Sequence, residues 1–169
     1  WINLEYLSAE PWVVEYHLLP SPHPRLPLTK FFFFPGFVNG TGGLLREQAL
    51  MKLRNEFDDT LQQSFIKRIG LDDKKPDCLW VSLFCYADAP VEQWLHALAE
   101  SAEPILLIVP EGTVARRVLT ILEDLYGLSA SLLVHKQLCV RIIPFLEQTD
   151  YDRLLWCCDI NFVRGEDSF

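Results

Sequence analysis

Cys78-Leu-Trp-Val-Ser-Leu-Phe84 and Ile105-Leu-Leu-Ile-Val109 are the two apolar runs that decide the fold of this chain. Each run is followed by an amphipathic helical pattern, at residues 91–99 and 113–126. Apolar strands that alternate with helices are typical of a parallel sheet covered on both faces. The pattern therefore predicts an α/β protein.

The same alternation continues to the end of the chain. It predicts strands at residues 131–134, 140–143 and 160–163 and a helix at about 151–157. In such sheets, ligands bind beyond the carboxyl ends of the strands, where the loops converge. This rule selects Tyr86, Asp88 and residues 110–113, 145–148 and 164–168.

The first part of the chain has a different composition. Most of the prolines and several glycines lie in residues 1–43, which are predicted to end one domain, with a fully buried strand at 30–34. Apolar residues then recur every four positions, which predicts a long helix over about 44–69 within a connecting segment, 44–76. Residues 77–169 are predicted to form an incomplete second domain.

Composition limits the classes of function. The chain has 169 residues and a net charge of −8, which would repel a nucleic-acid backbone. None of its five cysteines shows the Cys-x-x-Cys spacing of a zinc or redox site, so we expect buried free thiols, no metal and a reducing, cytoplasmic setting. No apolar stretch reaches the roughly 20 residues that a membrane-spanning helix needs, so no membrane partner is expected.

The last eleven residues, Asp159-Ile-Asn-Phe-Val-Arg-Gly-Glu-Asp-Ser-Phe169, have the pattern of a strand that runs into a helix N-terminus. Unpaired N–H groups and the helix dipole make such a junction an anion site, and Arg164 would add a cation. The alternative is that Asp167 or Ser168 only caps a helix and that Arg164 lies on the surface.

The segment Asn161-Phe-Val-Arg-Gly-Glu-Asp-Ser-Phe169 also resembles the signature of the EarP family, protein-arginine rhamnosyltransferases that modify bacterial elongation factor P. Three other stretches resemble family segments in the same order. They are Ile2-Asn-Leu-Glu-Tyr-Leu-Ser-Ala-Glu10, Phe32-Phe-Phe-Pro-Gly-Phe37 with Thr41-Gly-Gly-Leu-Leu-Arg-Glu47, and Trp80-Val-Ser-Leu-Phe-Cys-Tyr86.

The resemblance implies a GT-B glycosyltransferase with two Rossmann-like lobes. This chain would cover the end of the N-terminal, acceptor-binding lobe and much of the C-terminal, donor-binding lobe. The implied reaction is transfer of rhamnose from dTDP-β-L-rhamnose to an arginine of elongation factor P, with inversion at the anomeric carbon. Family members begin with an Asp-containing turn that holds the proposed catalytic base, so we expect that base to lie outside this chain.

The resemblance implies that eight residues match family positions lining the donor pocket: Phe84, Tyr86, Phe145, Gln148, Arg164, Glu166, Asp167 and Ser168. Phe145 would stack on the base, Gln148 would read its edge, and Phe84 or Tyr86 would add a second aromatic surface. Arg164, with the N–H groups of Asp167 and Ser168, would hold the diphosphate, and Glu166 would bind ribose or sugar hydroxyls. Within this set, the resemblance makes Arg164, Glu166 and Asp167 the candidate catalytic group, and no metal or other cofactor is expected.

Two other functions remain open from the sequence. One is a GT-B transferase that uses a different nucleotide sugar. The other is a non-catalytic Rossmann-like module that binds a nucleotide or a partner protein.

Overall fold

The computed structural model describes residues 1–71, 75, 77–128 and 133–163. The chain forms two compact units, the first comprising Trp1–Leu50 and the second beginning at Met51, and each is described by itself. Among the described residues, no helix has both the length and the apolar character needed to cross a bilayer.

The first unit contains a three-stranded sheet in the order β1-β3-β2. The central strand β3 (Thr29–Phe33) is parallel to β1 (Ile2–Leu4) and antiparallel to β2 (Pro20–Pro22). A single helical turn, α1 (Val13–Tyr16), follows β1 and buries Val13.

The strand predicted at residues 30–34 is confirmed, but its predicted burial on both faces is wrong. Phe34, just after β3, is buried, whereas Phe31 within the strand is 39% exposed. Trp12 packs edge-on against Phe34 with their ring centroids 5.6 Å apart. Among the described residues of this unit, one helical turn and two short strands give too little apolar surface to cover all four phenylalanines.

The single helix predicted over 44–69 is wrong, because two helices occupy this stretch. They are α2 (Leu50–Glu56) and α3 (Asp59–Arg68). Asp58 adopts extended backbone angles, and its carboxylate accepts a hydrogen bond from the N–H of Leu61 at 2.9 Å. An aspartate in this position is a helix N-cap and starts a new helix. A four-residue recurrence of apolar side chains does not reveal such a break.

The second unit is built on a five-stranded sheet in the order β6-β7-β5-β4-β8. β4, β5, β7 and β8 run parallel, while β6 pairs antiparallel with β7. The strands and their connecting helices are β4 (Leu79–Leu83), α4 (Val91–Ala99), β5 (Ile105–Pro110), α5 (Thr113–Tyr126), β6 (Val134–His135), β7 (Leu138–Ile143), α6 (Gln148–Cys157) and β8 (Ile160–Phe162).

Helices pack on both faces of this sheet. Successive residues of a strand point to opposite faces. Accordingly, Leu107 of β5 lies in the core with α4 and α5, and its neighbour Ile108 lies in the core with α3 and α6. The α/β class predicted from uninterrupted apolar runs is therefore confirmed.

Several predicted elements of this unit agree with the structure. Helices α4 and α5 have the predicted bounds, and Gly127 ends α5 in the left-handed conformation, with φ of 64°. Helix α6 begins three residues before the predicted start at 151. Of the strand predicted at 131–134, residues 131 and 132 lie outside the described residues, and Val134 begins the antiparallel β6 rather than a parallel strand.

Candidate functional site

The carboxyl ends of the four parallel strands form one edge of the sheet. Two backbone hydrogen bonds align this edge: the N–H of Phe84 donates to the carbonyl of Phe162, and the N–H of Glu111 donates to the carbonyl of Ile143, both at 2.8 Å. The loops that follow the strands therefore begin side by side, as the topological rule requires.

A cavity of about 180 Å³ lies at this edge. It contains three of the residues predicted from the sequence, Phe84, Phe145 and Gln148. A cavity of roughly 150 Å³ accepts a single benzene-sized ring. The complete lining consists of Phe84, Pro110, Phe145, Leu146, Gln148, Tyr151 and Leu155.

The aromatic residues give this cavity its character. Phe145 follows β7 and is 73% exposed, so its ring offers an open apolar face. The ring of Phe84, just after β4, packs against that of Tyr151, with centroids 5.7 Å apart and planes tilted by 60°. Two aromatic surfaces from different strand ends thus border a space of the size of one ring.

Gln148 supplies a polar group at the cavity and is the first residue of α6. Its Nε2 donates to Oδ1 of Asp152, one turn along the helix, at 2.8 Å. An amide carries two N–H bonds and a carbonyl oxygen, so this contact orients the side chain while using only part of its hydrogen-bonding capacity.

Tyr151 lines the cavity and was missed by the sequence analysis. Its hydroxyl is buried and has no hydrogen-bond partner among the described residues. Burial, together with nearby Cys158, raises the pKa of Tyr151 above its usual value, so the phenol stays protonated. Gln148, Tyr151 and Leu155 are spaced by three and four residues, which places them on one helix face. That spacing could have revealed Tyr151 if the predicted helix had begun at Gln148.

Of the remaining predicted site residues, the structure describes Tyr86, which is not part of the cavity lining. Tyr86 is 41% exposed and lies two residues beyond Phe84, outside the lining. Arg164, Glu166, Asp167 and Ser168 lie outside the described residues, so their roles stay predictions. β8 ends at Phe162, two positions before Arg164 in the sequence.

A larger cavity, of about 430 Å³, lies at the opposite edge of the same sheet. Its lining includes Cys78, Pro104 and Gln137, which directly precede β4, β5 and β7. Among the described residues, no group of three His, Cys, Asp or Glu side chains is arranged to hold a metal ion.

An open parallel sheet with helices on both faces and a ligand-sized cavity at its carboxyl edge defines the Rossmann-like class of α/β domains. The chain belongs to the EarP family. The family model described as "Elongation-Factor P (EF-P) rhamnosyltransferase EarP" matches residues 1–169, which confirms the resemblance found in the motifs.

Curated relatives carry the name protein-arginine rhamnosyltransferase. The proteins from Pseudomonas aeruginosa and Pseudomonas putida are each 45% identical over 171 residues, and the protein from Shewanella oneidensis is 38% identical over 181 residues. These matches cover 100% of this chain but only 44–45% of each relative. The chain therefore spans less than half the length of the curated relatives it matches.

A solved structure described as "Structural basis for EarP-mediated arginine glycosylation of translation elongation factor EF-P" is also similar. It shares 40% sequence identity and a TM-score of 0.67, covering 82% of this chain and 45% of that one. That structure is a GT-B fold, so the predicted fold class is confirmed. The assignment of residues 1–43, 44–76 and 77–169 to particular lobes stays a prediction.

Proposed function

We propose that this chain is the nucleotide-sugar-binding part of a protein-arginine rhamnosyltransferase. The reaction transfers rhamnose from dTDP-β-L-rhamnose to an arginine of elongation factor P, with inversion at the anomeric carbon. The observation that carries the proposal is the aromatic cavity formed by Phe84, Phe145 and Gln148 at the carboxyl edge of the sheet, in a chain of the EarP family.

The cavity has the chemistry that a pyrimidine base requires. A base presents two flat apolar faces and an edge of carbonyl and N–H groups. The open ring of Phe145 offers a stacking surface, and the amide of Gln148 lies in the same lining to pair with the edge. The space of about 180 Å³ suits one ring, which leaves the sugar and diphosphate outside the cavity.

We assign the diphosphate to residues 164–168, which follow β8 in the sequence. Arg164 and the N–H groups of Asp167 and Ser168 bind its oxygens, while Glu166 binds hydroxyls of the ribose or the rhamnose. What supports this assignment is the position of β8: Phe162, its last residue, is bonded through its carbonyl to Phe84 beside the cavity at 2.8 Å. In the sequence, Arg164 lies two residues after Phe162.

In the proposed reaction, a nitrogen of the acceptor guanidinium attacks the anomeric carbon. The new carbon–nitrogen bond forms as the bond from that carbon to the diphosphate oxygen breaks. The diphosphate leaves with the electron pair, and Arg164 neutralises the added charge. The proton lost by the guanidinium passes to an aspartate base expected outside residues 1–169. The guanidinium has a pKa above about 12 and is therefore protonated at neutral pH. The base must for this reason orient the acceptor as well as accept its proton.

The scheme requires no resident metal or other cofactor, since Arg164 and backbone N–H groups stabilise the leaving group. The proposed setting is the bacterial cytoplasm. All five cysteines are free thiols in the structure, which suits a reducing compartment. The net charge of −8 favours a protein partner over a nucleic acid.

Calorimetric titration of the full-length protein that contains this sequence tests the donor assignment. We expect binding of dTDP-rhamnose in clear preference to UDP-glucose. Comparable binding of UDP-glucose would favour a transferase with another donor, and no binding by the folded protein would refute the nucleotide site.

Transfer is then measured by the mass of elongation factor P after incubation with enzyme and donor. We expect one deoxyhexose to be added, and an acceptor with lysine in place of the modified arginine serves as control. Donor binding without transfer to the natural acceptor would instead indicate a non-catalytic module.

A further inference from the structure

β8 is the edge strand of the second unit and is bonded to β4 alone among the described strands. An edge strand has backbone hydrogen bonds on one side only, so side chains must help to fix its position. Asn161, the central residue of β8, has no part in the donor site proposed above, although it opens the signature segment at the end of the chain.

The side chain of Asn161 joins three elements. Its Oδ1 accepts a hydrogen bond from Oγ of Ser82, the residue paired with it on β4, at 2.6 Å. Its Nδ2 donates to the backbone carbonyl of Leu155 in α6 at 3.1 Å. Ser82 is fully buried, so its hydroxyl depends on a protein partner.

The hydrogen bond from Asn161 satisfies the carbonyl of Leu155 in the last turn of α6. The final carbonyls of a helix lack intrahelical partners. The N–H four residues after Leu155 belongs to Asp159, and it donates to the carbonyl of Trp80 at 2.8 Å. The carbonyl of Leu155 is satisfied by Asn161 instead, so one amide ties the end of α6 to β8 and β4.

Two of these elements, α6 and the end of β4, border the cavity. Leu155 lines it directly, and Gln148 and Tyr151 lie on the same face of α6. On the other side, Phe84 follows the last residue of β4. The distance between the α6 wall and the Phe84 wall therefore depends on how α6 is held against β4 and β8.

We propose that Asn161 is a positioning residue for the nucleotide cavity, which it keeps at the width of one base by fixing α6 to the β4–β8 pair. The inference rests on the proposed function only for the identity of the ligand. Asparagine suits this role because one side chain offers a carbonyl acceptor to Ser82 and an N–H donor to Leu155. An ionised aspartate would accept from Ser82 but could not donate to Leu155.

The test compares one isosteric and one truncated variant of Asn161 with a control at Asp159, the residue before β8, all in the full-length protein. Asn161→Asp removes the donor to Leu155, and Asn161→Ala removes both bonds. The control is Asp159→Ala, because Oδ2 of Asp159 accepts from the backbone N–H of Trp80 at 2.8 Å and thus ties β8 to β4. The readouts are the Kd for thymidine diphosphate, the melting temperature, and hydrogen exchange of α6 without ligand.

Both Asn161 variants are expected to speed hydrogen exchange in the last turn of α6 and to raise the Kd about fivefold, which is the factor for loss of one neutral hydrogen bond. Asp159→Ala is expected to lower the melting temperature while leaving the Kd within about twofold of wild type. Equal changes in Kd for Asn161→Asp and Asp159→Ala, or an unchanged Kd in Asn161→Asp, would overturn the inference.

The exchange measurement separates this inference from the proposed function. If the wild-type protein fails to bind thymidine diphosphate, the proposed ligand is wrong, yet faster exchange of α6 in Asn161→Asp alone would still support the positioning role. Should Asn161→Ala fail to fold, the isosteric Asn161→Asp decides the question. Unchanged α6 exchange in Asn161→Asp would count against the role.

Discussion

The two edges of the five-stranded sheet differ in the size and the chemistry of their cavities. The amino edge has the larger one, about 430 Å³ against about 180 Å³ at the carboxyl edge. Its lining mixes apolar residues such as Leu106 with charged ones such as Lys136, which is paired with Glu100. The carboxyl edge has aromatic rings from two strand ends and one helix. In a parallel sheet, volume is therefore a weaker guide to a ligand site than the side chains that follow the strands.

Thiol and phenol groups at both edges are held in their neutral forms. At the amino edge, burial raises the pKa of Cys78, which keeps its thiol protonated and unreactive. At the carboxyl edge, burial likewise raises the pKa of Cys85, and Tyr151 stays neutral. The described cavity lining at the carboxyl edge contains no charged side chain. An uncharged aromatic cavity fits a base better than it fits a reacting group.

The largest effect is expected from Phe145→Ala. Loss of a stacked aromatic ring costs about 1–3 kcal/mol per base, so the Kd for thymidine diphosphate should rise roughly tenfold or more. Because Phe145 is 73% exposed, its removal should leave the melting temperature nearly unchanged. Calorimetry measures the Kd in the full-length protein.

Val134→Ala is the matched control for that variant, because Val134 is an exposed residue that lines the amino-edge cavity. It should bind thymidine diphosphate like the wild type. If Val134→Ala weakened binding and Phe145→Ala did not, the nucleotide site would belong to the other edge of the sheet.

A smaller change in affinity is expected from Gln148→Ala. Losing one neutral hydrogen bond to the base costs about 1 kcal/mol, which corresponds to a Kd about fivefold higher. Gln137→Ala provides the comparison, since Gln137 lines the amino-edge cavity and bears the same amide. Both variants are titrated with thymidine diphosphate, and only Gln148→Ala should show a raised Kd. Equal Kd values for the two variants would mean that Gln148 does not bind the base.

The fold of the second unit was predictable where short-range signals coincide. Helix α5 was predicted with its observed bounds because an amphipathic stretch stops at Gly127, which adopts a positive φ of 64° in the structure. The break between α2 and α3 was not predicted. Its signal is a single aspartate, Asp58, whose side chain competes for a backbone N–H within an otherwise helical pattern.

Some of the cavity residues were also predictable from their positions in the sequence. Phe145 and Gln148 follow a predicted strand, so the topological rule places them at one edge without knowledge of side-chain positions, and Phe84, the last residue of another predicted strand, was added as a second aromatic surface. Tyr151 and Asn161 lie inside a helix and a strand, where that rule does not apply. Their contributions depend on tertiary contacts, namely the packing on Phe84 and the bonds to Ser82 and Leu155.

Tyr151→Phe should stabilise the protein in the absence of ligand. A buried hydroxyl without a partner carries a desolvation cost of about 1–3 kcal/mol, and its removal should recover about 1 kcal/mol. Tyr126→Phe is the opposite case, because the hydroxyl of Tyr126 lies 3.0 Å from Nδ1 of His96. Denaturant unfolding should show a gain for the first variant and a small loss for the second. Loss of stability in Tyr151→Phe would mean that its hydroxyl is bonded in the native state.

The smallest effect concerns Asp150, which supports the α6 wall of the cavity from outside. Arg68 of α3 donates two hydrogen bonds to its carboxylate, at 2.7 and 2.8 Å, and Arg153 donates a third at 2.9 Å. These bonds, led by those from Arg68, hold the pKa of Asp150 below its usual value. A carboxyl with a lowered pKa adds stability above its unfolded pKa and loses it as the pH falls through its folded pKa.

Asp150→Asn should therefore be slightly less stable than the wild type at pH 7, and the difference should shrink as the pH falls from the ordinary aspartate pKa of about 3.9 through the lower folded pKa of Asp150. The difference should also shrink in high salt, since Arg68 is exposed and Asp150 is partly exposed. Urea unfolding at pH 7 and pH 3 measures this difference, with Asp152→Asn as a control on the same helix, because the carboxylate of Asp152 accepts a hydrogen bond from the neutral amide of Gln148. If the stability difference between Asp150→Asn and the wild type grew toward low pH, the assigned direction of the Asp150 pKa shift would be wrong. In that case Asn161 and core packing, without the Asp150 ion pairs, would hold α6 at the sheet.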